Sequence, residues 1–376
     1  MSFRVGLGYV GRKKCSMILD RGTLGGRLGQ EKKKWKKSKM EMESLNVLSF
    51  NIRYVLDRWG ERKELVSDVI RGHEDRKHDV FGLQEVCVGG SLVGQDASIR
   101  REFTDMDVSA QPCFPSYFGE IPYVGFILAF IFNSPLGWVF RDLYALFNTM
   151  CLERILSVIN GPMLFHTPIL GDLFYLLLGS GWSFGNLLGC NSSLNPESFP
   201  PLLLGGKYRT AQKTKLMVPK VNGDTQRVWV VNTHLSDTPG FPSEELLKKA
   251  CDARVSEFLR IVAWLESEDD IESTDAIIIM GDMNSTPDEP LHNIAAEHGF
   301  KSAHKYVHGF EPSVTFHQNH QCATKDLGHE ECLDYVFFRG PLEATSCQVV
   351  GNKSHVADST LYPSDHYGLS VNFKLV

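Results

Sequence analysis

No Cys-x-x-Cys pair occurs anywhere in this 376-residue chain, and its nine cysteines, Cys15, Cys87, Cys113, Cys151, Cys190, Cys251, Cys322, Cys332 and Cys347, are odd in number and widely spaced. That argues against a zinc ribbon and against a small disulfide-stapled fold, and points to a reducing, intracellular and above all cytoplasmic setting. The amino terminus lacks the apolar core of a secretory signal. Internal repeats are absent as well. Basic charge is scarce beyond residue 39. Residues 1–39 hold twelve Lys/Arg against Asp20 and Glu31, leaving 27 basic and 43 acidic side chains in residues 40–376. A body this acidic disfavours tight, sequence-independent binding to long nucleic acid, which draws its affinity from phosphate neutralisation. Cleavage at a chain end needs no such neutralisation.

What is present divides the chain in two. Residues 1–44, with the run Lys32-Lys33-Lys34-Trp35-Lys36-Lys37, read as a basic, disordered tail, for which organelle targeting is the alternative and Met40 or Met42 an alternative start. From Leu45 the pattern becomes that of a folded domain, expected over 45–376. LNVLSFNIR alternates like a half-buried strand, ERKELVSDVIR (61–71) spaces Leu65, Val69 and Ile70 on one helix face, and DVFGLQEV reads as a second strand. Further on, RVWVVNTHL and DAIIIMGDMN are buried-strand runs. The helix between them is expected to bury Leu246, Leu247, Ala250, Val255, Phe258, Leu259 and Val262. CLDYVFFRG and YGLSVNFKL supply two more strands.

Residues 121–206 carry only Arg141, Asp142, Glu153, Arg154, Asp172 and Glu197 as charges, and read as an apolar insertion. Ile121–Phe140 is uncharged for 20 residues, and Leu164–Leu188 is a second apolar stretch. A single span would put Glu85 and Asp282 on opposite sides of a bilayer. Pro122, Gly125, Pro135 and Gly137 also break a continuous helix. The expectation is an element giving peripheral membrane contact through 121–140, against a two-span hairpin and a lid on the domain or on a partner. Nothing in the chain indicates an obligate protein partner.

Polar residues recur where apolar strands end: Asn51, Glu85, Arg209, Asn232, His234, Asp282, Asn284, Asp334, Asp365 and His366. Singly, each is an ordinary cap or turn residue. Together they form an oxygen-rich set that suits a hard cation, magnesium or in its place manganese. In order along the chain, SFNIR, LQEV, KYRTAQ, VNTHLSD, GDMNSTP, CLDYVFF and PSDHYGLSV resemble the motifs of the endonuclease/exonuclease/phosphatase (DNase I-like) superfamily. GDMNS and SDH are the most specific of these. The resemblance runs from Leu45 to the carboxyl terminus apart from roughly residues 113–185.

The resemblance implies an α/β fold, a four-layer αββα sandwich of two mainly antiparallel sheets with the site at one rim. It implies a magnesium-dependent phosphoesterase in which Glu85 binds the metal with Asn51 and Asp365 close to the same ion. Asp282 would orient or deprotonate the attacking water, Asn284 would hold a phosphate oxygen, and Arg209 would neutralise the phosphoryl group. His234 would hydrogen-bond the phosphate or protonate the leaving oxygen, and Asp334 would orient His366; whether Asp282 or His366 is the base stays open. The Ser285-Thr286-Pro287 that follows Asn284 is similar to deadenylase-like and sphingomyelinase-like members, and Thr315-Phe316 to the deadenylase-related branch. The expected substrate is an RNA or DNA end, with a phospholipid headgroup of the sphingomyelin type, a phosphomonoester, or a catalytically silent scaffold as alternatives.

Overall fold

In a computed structural model, the structure describes residues 44–56, 58–72, 77–88, 94–112, 184–204, 209–238, 243–268, 271–319 and 329–376. The expected tail, save Ser44, and the uncharged run 121–140 lie outside them. All that follows concerns the unit Met42–Val376.

Two sheets are built around two strand–helix–strand crossovers. In the first, β1 (Ser44–Asn51) passes through helix α1 (Trp59–Arg71) into β2 (Val80–Cys87), which pairs parallel to β1. Helix α2 (Gln95–Glu102) and strands β3 (Met106–Pro112) and β4 (Phe184–Asn191) follow. The short β5 (Glu197–Ser198) and β6 (Leu202–Leu203) lead to β7 (Thr210–Pro219). The second crossover runs β8 (Thr225–His234), α3 (Glu244–Glu266), β9 (Ala276–Asp282), again with a parallel pair. Then come α4 (Pro290–Glu297), β10 (Lys301–Ser302), α5 (Ala303–His308), β11 (Asp334–Arg339), β12 (Leu342–Val350) and β13 (Gly368–Leu375).

Strand order is β12-β13-β1-β2-β4-β3 in one sheet and β10-β11-β9-β8-β7-β5 in the other, with β6 beside β7. Every other described pairing is antiparallel. The expected αββα sandwich of mainly antiparallel sheets is therefore the fold observed. Three apolar layers hold it. Leu45, Val47, Val80, Val228, Val230, Ile278, Met280, Val336 and Phe373 fill the space between the sheets. Leu48, Phe50, Phe81 and Leu83 pack outward against Val66 and Ile70 of α1, and Trp229, Val231, Ile277 and Ile279 against Phe258, Ile261 and Leu265 of α3. Alternation along each strand assigns these faces, because successive side chains point to opposite sides of a sheet.

Three expectations are corrected. Residues 184–191 are not part of an insertion: β4 lies between β2 and β3, and its apolar character reflects burial in the sheet. On α3, Leu246, Leu247 and Leu259 are exposed, while Arg254 and Glu257 are buried beside Ala250, Phe258 and Val262. The helix has turned its charged residues toward the loop after β8. Arg254 Nη1 donates to Ser236 O and Thr238 Oγ1, and Glu257 accepts from the Ser236 amide and hydroxyl at 2.8 and 2.6 Å. On α1 the buried face is Arg62, Val66, Ser67 and Ile70, with Leu65 and Val69 half-buried at its margin.

Candidate active site

The topology brings many chain ends to one rim. β1, β2, β8 and β9 all finish there, and their antiparallel neighbours β4, β7, β11 and β13 all begin there. Thus Asn51 closes β1, His234 lies opposite Asp282 at the ends of β8 and β9, and Asp334 opens β11 opposite Asp282. Along the inner face the strands change from apolar to polar as they approach this rim. Asn232, fully buried, donates to Leu83 O and Leu187 O across the sandwich at 3.1 and 3.0 Å and accepts from Gln84 Nε2 at 2.7 Å. This amide pair ties one sheet to the other directly beneath the site, so Asn232 is a floor and not a ligand.

Backbone geometry aims the carboxylates. The register of β2 against β4 shifts between Leu83 and Val86, and Glu85 within that bulge has φ 54°, which swings its side chain out of the ordinary alternation. In GDMN, Gly281 has φ 151°, and a Cβ there would collide with the Thr233 carbonyl oxygen. Only glycine allows β9 to run this close to β8 just before Asp282. Asn284, at φ 49°, folds back so that its amide N–H donates to Asp282 Oδ1 at 2.9 Å.

The side chains converge on Asp282, which is 1% exposed. Its Oδ2 accepts from Asn51 Nδ2 at 3.0 Å and lies 3.5 Å from His234 Nε2 and 3.8 Å from His366 Nε2. Asn51 Nδ2 also reaches Glu85 Oε1 at 3.2 Å, so one amide spans the carboxylates of the two sheets. His366 Nδ1 donates to Asp334 Oδ2 at 2.8 Å. Arg209, just ahead of β7, donates to His234 Nδ1 at 3.1 Å and pairs with Asp237 at 3.0 Å. A guanidinium cannot accept a hydrogen bond, so His234 Nδ1 is the acceptor and its proton sits on Nε2, facing Asp282.

Charge follows from this packing. Burial pushes the Asp282 carboxyl up to about 7, against the pull of His366 and Asn51. Burial alone would lower His366, but Asp334, Asp282 and Glu85 together outweigh it and hold the imidazole up to about 9. His234 is driven well below the usual histidine range by burial and by the neighbouring Arg209 and His366. The rim thus holds one neutral and one protonated imidazole around a carboxyl of raised affinity for protons.

Asp365 and Asn284 already have partners within the chain. Oδ2 of Asp365 is paired with the buried Arg53 guanidinium and its Oδ1 accepts from Ser364 Oγ at 3.1 Å. Asn284 turns its side-chain amide to Leu235 O at 3.0 Å, which fixes the loop after β8. Arg53 itself was not singled out from sequence; its position two residues after Asn51 in SFNIR is the only signal, and its Asp365 partner is remote in the chain.

Among the described residues, two sets of side chains have ligand atoms within 4.8 Å of one another, Glu85 with His234 and Asp282, and Asp282 with Asp334 and His366. Oδ1 of Asp334 is buried with no hydrogen-bond partner. An anionic, mainly oxygen donor set with an orphaned carboxylate oxygen fits a divalent cation.

The family model for the endonuclease/exonuclease/phosphatase family matches residues 44–366. The chain belongs to that family. Its members are phosphoesterases, and the span of the match covers every residue of the rim. A search of curated protein sequences finds no match. Among solved structures, the chain is similar to an endonuclease/exonuclease/phosphatase from Bacteroides vulgatus, at 17% identity, with 89% of this chain and 99% of that one covered and a TM-score of 0.54. It is similar to the human Nocturnin catalytic domain with bound sulfate anion, at 18% identity over 89% of this chain and 94% of that one, TM-score 0.51. It is also similar to D. rerio TDP2 complexed with single strand DNA product, at 14% identity over 88% and 99%, TM-score 0.52. At such identities these likenesses speak to the fold. No helix among the described residues is long and apolar enough to cross a membrane.

Proposed function

We infer that the chain is a magnesium-dependent phosphodiesterase acting on nucleic-acid ends. The observation that carries the chemistry is the convergence of Glu85, His234, Asp282 and the Asp334–His366 pair on one rim, with Asn51 between the carboxylates. Glu85 and Asp282 would hold the cation, with manganese as an alternative occupant. When bound, the cation neutralises charge on the phosphoryl oxygens. The remaining work falls to the chain's own residues. Asp334 keeps the His366 proton on Nδ1 and favours the imidazolium, so His366 Nε2–H faces the site as a charged donor for a phosphoryl oxygen. His234 presents a neutral Nε2–H beside it, suited to hydrogen-bond the phosphate or the leaving oxygen. Asp282, in reach of both imidazoles and oriented by the Asn284 amide, is the group left to take the proton of the attacking water. On this reading the base is Asp282. Arg209, through its bond to His234 Nδ1, supports that imidazole's tautomer.

The substrate reading is supported by Thr315-Phe316, similar to the deadenylase-related branch, and by similarity to a fold that holds single-strand DNA product in D. rerio TDP2, while the acidic body directs it to chain ends rather than long duplexes. The uncharged run Ile121–Phe140 favours a second reading, a phospholipid diester. A turnover screen with Mg²⁺ separates them, using poly(A) RNA, single- and double-stranded DNA, sphingomyelin vesicles and inositol phosphates, with Asp282→Ala as the blank. Shortening of single-stranded RNA or DNA from an end is expected. Release of phosphorylcholine with no loss of nucleic acid would overturn the nucleic-acid reading.

A further inference from the structure

Trp59 and Arg62, in the first turn of α1, take no part in the chemistry above, yet Arg62 is 3% exposed in a position where a surface helix ordinarily shows its charges to water. Its guanidinium donates to five backbone carbonyls. Nε reaches Leu56 O at 3.2 Å, Nη1 reaches Ile52 O at 3.2 Å and Pro363 O, and Nη2 reaches Arg53 O, Tyr54 O and Leu56 O at 3.5, 3.3 and 2.5 Å. The Trp59 ring covers the same group, with Cζ 5.6 Å from its centroid.

Four of these carbonyls belong to the loop that leaves β1 at Asn51, and the fifth belongs to the loop that carries Asp365 and His366, 301 residues away. In the first loop, Arg53 and Tyr54 are both left-handed, at φ 54° and 47°. Two successive non-glycine residues in that region are strained and persist only where their surroundings hold them. Their carbonyls turn inward as a result, and a planar fork with five N–H donors matches such a cluster where an ammonium point charge does not. The two loops then meet a second time, through the Arg53–Asp365 pair, and Gln95 Nε2 secures Tyr54 O from the other side at 2.6 Å.

We propose that Arg62, sheltered by Trp59, is a positioning residue that fixes the Asn51–Leu56 loop against the Pro363–His366 loop and so sets the distance between Asn51 and His366 across the site. It touches no reacting group and reaches the site through the backbone carbonyls of the two loops. Lysine in its place keeps the charge and loses the fork.

The inference rests on the phosphodiesterase reading for its kinetic arm alone. In full-length Arg62→Lys, amide hydrogen exchange at 52–56 and 363–367 rises together while α1, β1 and β13 keep wild-type protection. Exchange that stays at wild-type rates in either loop, or that rises throughout the first sheet, overturns the proposal whether or not the protein turns over any phosphodiester. With a substrate from the screen above, kcat falls about 10- to 100-fold at a KM within twofold of wild type, as for other loosened supports of a catalytic group. Wild-type kcat contradicts it. Trp59→Leu leaves the Arg62 fork in place, keeps an apolar side chain against the core beneath α1 and removes the aromatic cover, so it serves if Arg62→Lys does not fold: paired loosening of the same two loops is expected, and unchanged exchange in both overturns the proposal.

Discussion

The two strand–helix–strand crossovers do the same job by different means. The first, β1-α1-β2, delivers Asn51 and Glu85 to the rim, and the second, β8-α3-β9, delivers His234 and Asp282. Each crossover helix also sends one buried arginine to that rim. Arg254 of α3 meets the Glu289 carboxylate at 2.7 Å, so the second unit is fastened by an ion pair between side chains. Arg62 of α1 meets backbone carbonyls, so the first unit is fastened through main-chain shape. Unusual backbone is correspondingly denser in the first, at Arg53, Tyr54 and Glu85, than in the second, where Gly281 and Asn284 carry it. A rim held by side-chain charge fails when a partner is removed, whereas a rim held by backbone shape fails when geometry is disturbed.

The largest expected effect removes a carboxylate from either unit. Asp282→Ala or Glu85→Ala should lower hydrolysis by about 10³-fold or more, to the blank, with circular dichroism unchanged. A variant of either residue that retains near-wild-type turnover would show that its unit is not part of the site.

Next comes stability, where the two arginines should part company. Arg254→Ala leaves the partly buried Glu289 carboxylate without its cation, held by Ser285 and Thr286, and should cost about 3 kcal/mol in urea denaturation, as for other broken buried pairs. Equal losses for Arg254→Ala and Arg62→Lys would erase the distinction drawn between the units.

Much of the rim is legible in the sequence, because hydrophobic strands that end in Asn51, His234 and Asp282 advertise their polar ends. What is not legible depends on contacts between distant segments. Leu246 and Leu247 fit a helical stripe, yet α3 buries Arg254 and Glu257, since the loop after β8 offers them partners that no periodicity reveals. Residues 184–191 look like an insertion because a strand buried on both faces has no alternation to show. Asp365 follows the motif, but its pairing with the buried Arg53 joins segments 312 residues apart, which no local pattern reveals. The role of Arg62 is invisible without the left-handed turn at Arg53 and Tyr54.

A smaller effect comes from pH. The Asp282 carboxyl, ordinarily near 4, is raised to about 7 by burial, so the folded, metal-free protein binds a proton there that the unfolded chain has already lost. Its stabilising contribution is complete below about 4 and is lost as pH rises through about 7. Without metal, Asp282→Asn should therefore melt above wild type at pH 8, by a margin that shrinks as pH falls to 5. Added Mg²⁺ should raise the melting temperature of wild type and not of the variant. A constant difference across that range would mean that Asp282 ionises normally.

One ion shared between the two units is the arrangement on which all of this depends. Calorimetric titration of Mg²⁺ into wild type, Glu85→Gln, Asp282→Asn and the double variant tests it without reference to any substrate. Each single change should weaken binding about tenfold or more, and the double variant should bind little worse than the weaker single, because both carboxylates serve the same ion. Binding that survives either substitution at wild-type strength, or losses that simply add, would contradict a single site built from both sheets.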